Sequence, residues 1–177
     1  MVGDYLYHLY DMVPYRVCDQ LIECLERSDQ LIHRDNGPQD FYELNINQAH
    51  PEVVQPLSGI LLGVYKKYCE LVRYTSYLPE PSGLEEFRVK RYIGGTGQQF
   101  DDHVDVGDLT SCKRYLSFLF YLNDDFTGGE TIFYPDTTMI PRKGSVVVFP
   151  PTWQYPHAGL PVNVGTKYIM SSYLNYT

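Results

Sequence analysis

The chain has 177 residues, 44% of them hydrophobic and 20% charged, which suits one globular domain with a sizeable core. A formal net charge of −8 argues against a general nucleic-acid backbone binder, which rests on clustered Lys and Arg. No apolar run approaches the roughly 18–20 residues that span a bilayer.

The first residues, Met1-Val2-Gly3-Asp4-Tyr5, lack the basic and apolar regions of a signal peptide. Four cysteines (Cys18, Cys24, Cys69, Cys112) carry no Cys-x-x-Cys spacing and read as reduced thiols. The expectation is a cytoplasmic protein, monomeric or homodimeric, with no membrane and no nucleic-acid partner. Residues 4–11 alternate loosely and suggest an opening strand. Pro14 then starts a helix with Val17, Leu21, Ile22 and Leu25 on one face, and Cys18 and Cys24 beside them. Asp35-Asn36-Gly37-Pro38 is a turn, and residues 41–47 form a short strand. A second helix spans 51–73. Val54, Leu57, Leu61, Leu62, Val64 and Leu71 make its apolar stripe, and Tyr65 and Tyr68 join the edge. Its Lys66, Lys67 and Arg73 read as a solvated face.

After the break at 79–83 the pattern changes to short strands: 86–93, 115–122, 130–134, 145–149 and 166–174. Arg88, Lys90 and Tyr92 share one face of the first, and the Val-Val-Val-Phe run of 146–149 reads as fully buried. The 17 tyrosines suit such β-rich structure, since each ring packs while its hydroxyl stays wet. The spacing predicts a sandwich or jelly roll in one domain, 1–177. Residues 1–84 would support a core of 85–177.

Within that core His103 and Asp105 are two residues apart, so on an extended strand they point to one side. An imidazole and a carboxylate together make two thirds of the 2-His-1-carboxylate face of non-haem Fe(II) sites. Alone, such a His-x-Asp is also an ordinary loop. His157, in Tyr155-Pro156-His157-Ala158-Gly159, is the candidate third donor. Ten residues later Lys167 shares a strand face with Ile169, Ser171 and Tyr173. Two readings stay open for it: an edge lysine in solvent, or a buried lysine that needs an anion from outside the strand.

His103-x-Asp105, His157 and Lys167 are flanked by Arg91-Tyr92 before a Gly turn and by Tyr121-Leu122-Asn123. Gly128-Gly129-Glu130-Thr131, Lys143-Gly144 and Gly165-Thr166-Lys167 complete the series. Over about residues 86–176 this order resembles the Fe(II)- and 2-oxoglutarate-dependent oxygenases, nearest their prolyl 4-hydroxylase branch. The resemblance implies an α+β fold, mainly β in its core: a double-stranded β-helix (jelly roll) with N-terminal helices packed against it. It implies His103, Asp105 and His157 as iron ligands and catalytic centre, and Lys167 as the partner of the distal carboxylate of 2-oxoglutarate. Tyr92 and Thr131 match hydroxyls that help hold this cosubstrate, although Tyr92 also reads as a cross-strand packing residue. The implied cofactors are Fe(II), 2-oxoglutarate and O2, with ascorbate as an accessory.

The implied reaction hydroxylates a C–H bond, first of all in a prolyl residue of a peptide or protein, and releases succinate and CO2. Arg114 matches a substrate-contacting arginine and reads equally as a structural salt bridge. Trp153 lines the substrate mouth or packs its loop. Tyr173 stands where several relatives carry tryptophan, and His8, His33 and His50 read as surface residues. Segments 94–97, 105–112 and 136–140 are expected as mobile loops around the mouth. Two other readings remain: an oxygenase for a free amino acid or other small molecule, and a non-catalytic jelly-roll binding module.

Overall fold

The computed structural model describes residues 5–177. Asp4, at the start of the expected opening strand, lies outside them. In chain order the first half contains β1 (Tyr7–Leu9), α1 (Tyr15–Glu26), β2 (Ile32–Asp35), β3 (Asp40–Asn45), α2 (Ile46–Ala49) and α3 (Val54–Leu71). The second half is built of strands: β4 (Gly83–Leu84), β5 (Arg88–Ile93), β6 (Phe100–His103), β7 (Arg114–Tyr121), β8 (Thr127–Gly128) and β9 (Thr131–Phe133). Then follow β10 (Thr137–Met139), β11 (Val146–Phe149), β12 (His157–Gly159), β13 (Val162–Val164) and β14 (Thr166–Asn175).

Pro14 enters α1 without an N–H to leave orphaned, and its carbonyl accepts from the amides of Val17 and Cys18. Cys18, Leu21 and Leu25 recur at helical spacing and are buried. Asn45 caps α2, its side chain accepting from the Asn47 amide. In α3 the buried face runs Leu57, Leu61, Val64, Tyr65, Tyr68. Two leucines of the expected stripe turn outward, Leu62 at 38% exposure and Leu71 at 41%. Leu62 sits about 100° round the helix from Leu61, and Leu71 closes the last turn. The tyrosines go inside because their hydroxyls find carbonyls there, Tyr68 donating to Tyr5 O and Tyr65 to Pro79 O.

The principal sheet is antiparallel, in the order β1-β11-β7-β14-β5-β3-β2, with β4 beside β14. A smaller sheet runs β10-β9-β12-β6, and β13 pairs with β8. Alternation along each strand separates two cores. Val89, Phe118, Phe120, Met170 and Leu174 join α1 and α3 in one cluster. Phe41, Tyr92, Tyr121, Phe133 and Phe149 join the other, between the sheets, where the Phe133 and Phe149 rings meet edge to face at 4.7 Å. The architecture is thus mixed α+β, with a dominant antiparallel core and helices on one face.

Two local expectations are corrected. Edge strand β2 was missed because Ile32-His33-Arg34-Asp35 carries no apolar alternation, and its pairing to β3 is what makes it a strand. Segment 136–140 is not a free loop, since β10 pairs back on β9 as a hairpin. All four cysteines are free thiols, and burial pushes Cys18 up to about 11. Among the described residues no helix is long and apolar enough to cross a membrane.

Phe118, fully buried at the sheet–helix interface, and half-exposed Leu62 make a matched test. Phe118→Ala should cost about 3–5 kcal/mol in denaturant unfolding, and Leu62→Ala under about 1 kcal/mol. Equal losses would contradict this assignment of the helix face.

Candidate active site

His103 ends β6 and faces His157 on β12, the two being direct cross-strand partners. Asp105 was expected on the same strand, but β6 stops at His103 and the chain bends. The carboxylate reaches the imidazoles from that bend, where Arg114 Nη1 donates to the Asp105 carbonyl at 3.0 Å. His103 Nε2 lies 3.6 Å from Asp105 Oδ1, and His157 Nε2 lies 3.9 Å from Oδ2. One donor atom from each residue falls within 4.8 Å of the others. Neighbouring donors on an octahedral ion with bonds of about 2.1 Å are about 3 Å apart, so the set closes on a metal with little movement.

The tautomers are set by the backbone. His103 Nδ1 sits 2.7 Å from Asp101 O, and His157 Nδ1 sits 3.1 Å from Tyr155 O. An Nδ1–H donated to each carbonyl leaves both Nε2 lone pairs facing Asp105, as ligation requires. The Phe100 ring stacks on His103 at 3.5 Å, and the Phe133 and Phe149 rings pack on His157. Burial holds the His157 imidazole below its ordinary range, and hence neutral.

Asp105 is held from its far side as well. Tyr173 donates to Oδ1 at 3.0 Å and Ser117 to Oδ2 at 3.1 Å. Burial alone would raise its pKa. Positive charge beside it, from the two imidazoles when protonated and from Lys90, outweighs this and holds it below the usual carboxylate range, a role that a bound metal would take over from neutral imidazoles. Two imidazole nitrogens and one ionised carboxylate on a single face fit a metal of intermediate hardness with three coordination positions left open.

The opposite wall of the pocket belongs to the principal sheet. Tyr92, Lys167 and Ser171 line it from there, and Thr131 joins them from β9 of the smaller sheet. Lys167 is 2% exposed, so the reading as a solvated edge lysine is excluded. It pairs across the strands with Tyr92, and its ammonium donates to Gly129 O at 2.6 Å. Burial lowers its pKa from 10.5 to about 7, with Glu130 raising it and Lys90 lowering it further. Tyr121 donates to Thr131 Oγ1 at 2.7 Å, which sets the Thr131 hydroxyl in the pocket wall.

The other candidates fall outside this pocket. Arg114 makes a two-point pair with Glu85 at 2.8 Å on each arm, and its guanidinium lies 3.9 Å from the Tyr173 ring centre. Trp153 is 76% exposed on the loop before β12 and does not line the pocket. His33 and His50 bond to Asp40 and Glu52, whereas His8 is part-buried and bonds to Ser145 Oγ. Sequence reasoning gave no role to Ser117, Tyr121, Lys90 or Glu43, and none at the metal to Tyr173. The signal for Lys90 was its shared face with Tyr92. For Ser117 it was the face shared with Tyr121, two strand repeats on.

A sheet-walled pocket with two imidazoles and a carboxylate on one face defines a non-haem metal centre. Residues 87–175 match the model of the 2OG-Fe(II) oxygenase superfamily, and the chain belongs to that family. Its similarity runs to the prolyl 4-hydroxylase-like branch. It is 32% identical over 112 residues to prolyl 4-hydroxylase subunit alpha-1 of Gallus gallus, a match covering 53% of this chain and 21% of that one. The chain therefore spans about a fifth of the length of this relative. Its fold is similar to that of the viral collagen prolyl hydroxylase of Paramecium Bursaria Chlorella virus-1, solved with 2OG. That comparison has a TM-score of 0.72 at 22% identity and covers 99% of this chain and 98% of the other. A prolyl hydroxylase of Trichoplax adhaerens, solved with a hypoxia inducible factor peptide fragment, has a TM-score of 0.78 at 14% identity, covering 98% and 84%.

Removing a donor should abolish tight metal binding, while removing a group that steadies Asp105 should weaken it by about 10-fold. In anaerobic Fe(II) titrations, His157→Ala should lose at least about 100-fold in affinity and Tyr173→Phe about 10-fold. Unchanged affinity in His157→Ala would rule out the metal centre.

Proposed function

We propose that the chain is an Fe(II)- and 2-oxoglutarate-dependent dioxygenase that hydroxylates a C–H bond, in the first place of a prolyl residue in a peptide or protein. The observation that carries this is the buried Lys167 ammonium in the same pocket as the His103, Asp105 and His157 donors. A lysine so deep without a carboxylate hydrogen-bonded to it suits an anion from outside, and a dicarboxylate that also chelates the metal meets both needs. The two facing sheets are read as a double-stranded β-helix, with 85–177 as catalytic core and 1–84 as its support in one domain.

When bound, Fe(II) with 2-oxoglutarate and O2 supplies the oxidation of the C–H bond, with release of succinate and CO2; ascorbate would be an accessory. The chain's own residues hold and orient. His103, Asp105 and His157 keep three ligands on one face. Lys167 takes the distal carboxylate, flanked by the hydroxyls of Tyr92 and Thr131. Ser117 and Tyr173 fix the direction of the Asp105 carboxylate. Arg114, with its guanidinium engaged by Glu85 and the Asp105 carbonyl, is assigned to positioning that bend and not to gripping substrate. Trp153 sits far enough out to serve only a substrate that extends over the surface. A complete donor set with a matched lysine argues against a binding module without catalysis.

The prolyl assignment is supported by the similarity to prolyl 4-hydroxylase alpha-1 subunits. Purified protein given Fe(II), 2-oxoglutarate and air should form succinate and add one oxygen to members of a Pro-containing peptide pool. Succinate formed while only a free amino acid gains oxygen would move the substrate to a small molecule.

Lys167 adds a pH signature. Its folded pKa lies below the ordinary lysine value, so the free site loses its proton as pH rises through about 7. Binding of a dicarboxylate needs that proton. Affinity for 2-oxoglutarate should therefore be full below about 7 and fall by up to about tenfold per pH unit above it. Lys167→Met should weaken binding at least about tenfold at pH 6.5 and abolish the slope, while Lys167→Arg should restore binding without the slope. An equal slope in Lys167→Met would assign the titration elsewhere.

A further inference from the structure

Lys90 is the second lysine of the pocket; its charge helps keep Asp105 ionised, but the metal and cosubstrate reading gives its ammonium no partner of its own. It stands on β5 between Arg88 and Tyr92, directly across from Ile169 on one side and Glu43 on the other. It is 8% exposed and lines both the metal pocket and the groove that opens outward past Glu86 and Arg88. Its ammonium lies 5.0 Å from the Phe41 ring centre and 5.6 Å from that of Phe100. Among the described residues it has no hydrogen bond, and no carboxylate oxygen lies within 4.0 Å.

The nearby carboxylates are already committed. Glu43 Oε1 accepts from Arg34 and Arg88, each at 3.0 Å. Glu86 Oε2 accepts from Arg88 at 2.8 Å, and Glu85 is taken by Arg114. In formal charge Glu43 and Glu86 balance Arg34 and Arg88, and Glu85 balances Arg114. With the site loaded as proposed above, Fe(II), Asp105, Lys167 and dianionic 2-oxoglutarate also cancel. Lys90 is the pocket cation that no ion pair takes up; Glu43 across the strand attracts it from beyond 4.0 Å but is bonded to Arg34 and Arg88.

We infer that Lys90 is a specificity-determining residue, and that it recognises a carboxylate carried by the substrate next to the carbon to be oxidised. The inference rests on the oxygenase reading and goes beyond it by naming the chemistry of the substrate. An ammonium lying beside two adjacent aromatic rings offers three N–H donors with little else to bond, so a carboxylate arriving there gains both charge pairing and hydrogen bonds. Asp105 does not repel it, because the metal takes that charge, and Glu43 is screened by two guanidinium groups. The carboxylate has two possible sources: an acidic residue beside the target in a peptide, or the free α-carboxylate of an amino acid.

Binding to Zn(II)-loaded, 2-oxoglutarate-saturated protein separates them. One arm compares Ala-Glu-Pro-Ala peptide, blocked at both ends, with its Gln counterpart; the other compares L-proline with L-prolinamide. In at least one arm the carboxylate form should bind at least about tenfold tighter than the amide, and Lys90→Met should reduce that ratio to under about twofold. The dissociation constant for 2-oxoglutarate should move by less than about threefold in Lys90→Met, against at least tenfold in Lys167→Met. Its Tm should hold or rise, because an unpaired buried charge is replaced by an apolar chain of similar length. A carboxylate preference missing from both arms, or persisting in Lys90→Met, overturns the inference, as does a fall in Tm, which would make Lys90 a structural partner of Glu43. A 2-oxoglutarate loss matching that of Lys167→Met overturns it too, by moving Lys90 to the cosubstrate. Failure of the metal-loaded parent to bind 2-oxoglutarate at all would instead overturn the oxygenase reading and this inference with it.

Discussion

The register of β14 between β5 and β7 is the constraint on which the site depends. In that register Lys167 meets Tyr92, Ile169 meets both Lys90 and Tyr121, and Tyr173 meets Ser117. Apart from Phe149 on β11, the pocket-lining side chains of the principal sheet come from this alternation. A slip of one residue would turn Lys167 and Tyr173 toward the helices and bring Met170 and Leu174 into the pocket. The end of the pairing is pinned by a close backbone approach. The Gly94 amide donates to Gly165 O at 2.8 Å, and a Cβ at Gly94 would stand 2.6 Å from that oxygen. The Gly-rich turn after β5 is thus a clamp on the register as well as a way to reach β6.

The two faces of that sheet have opposite energetics. The helix side is all contact: Cys18, Leu21, Leu25, Leu57 and Leu61 pack on Val89, Phe118, Phe120 and Met170. Each such side chain, fully buried, contributes about 1.5–3 kcal/mol. The metal side buries Lys90, Lys167, Asp105 and Glu43, which cost stability unless paired. The helices of the first half carry no residue of the metal pocket, yet their packing offsets a pocket lined with charges. This is a common division between scaffold and site, in which function accepts local instability that the rest of the fold absorbs.

How much of this could be read in the sequence follows from what each feature depends on. The long elements α1, α3, β7 and β14 were legible as elements from their apolar spacing, although Leu62 and Leu71 of the expected α3 stripe face outward. So were His103, His157 and Lys167, because rare residue types in fixed order carry their chemistry with them. Edge strand β2 was not, having no apolar pattern and owing its conformation to β3. Nor was the bend that delivers Asp105, which depends on Arg114 holding its carbonyl. Ser117 and Tyr173 looked like ordinary strand residues until the β7–β14 pairing placed both hydroxyls on one carboxylate. Partners of that kind are set by cross-strand register, which a single sequence does not display.

The same register also explains why the pocket has two chemically distinct ends. At the Tyr92 end the strands converge on Gly129 and Lys167, and hydroxyls from Thr131 and Tyr121 close the space. Moving along β5 toward Arg88, each second residue stands one strand repeat further out, roughly 6.5–7 Å. Lys90 is therefore one repeat from the cosubstrate end and Arg88 is two, where the groove is open. From the outer groove inward, β5 presents Arg88, bonded to Glu43 and Glu86, and then Lys90, which has no hydrogen bond among the described residues. The two lysines thus stand at different depths on neighbouring strands, Lys167 on β14 and Lys90 on β5. On the proposed reading, the deep cation would take the distal end of a small dianion and the outer one would face the open coordination side.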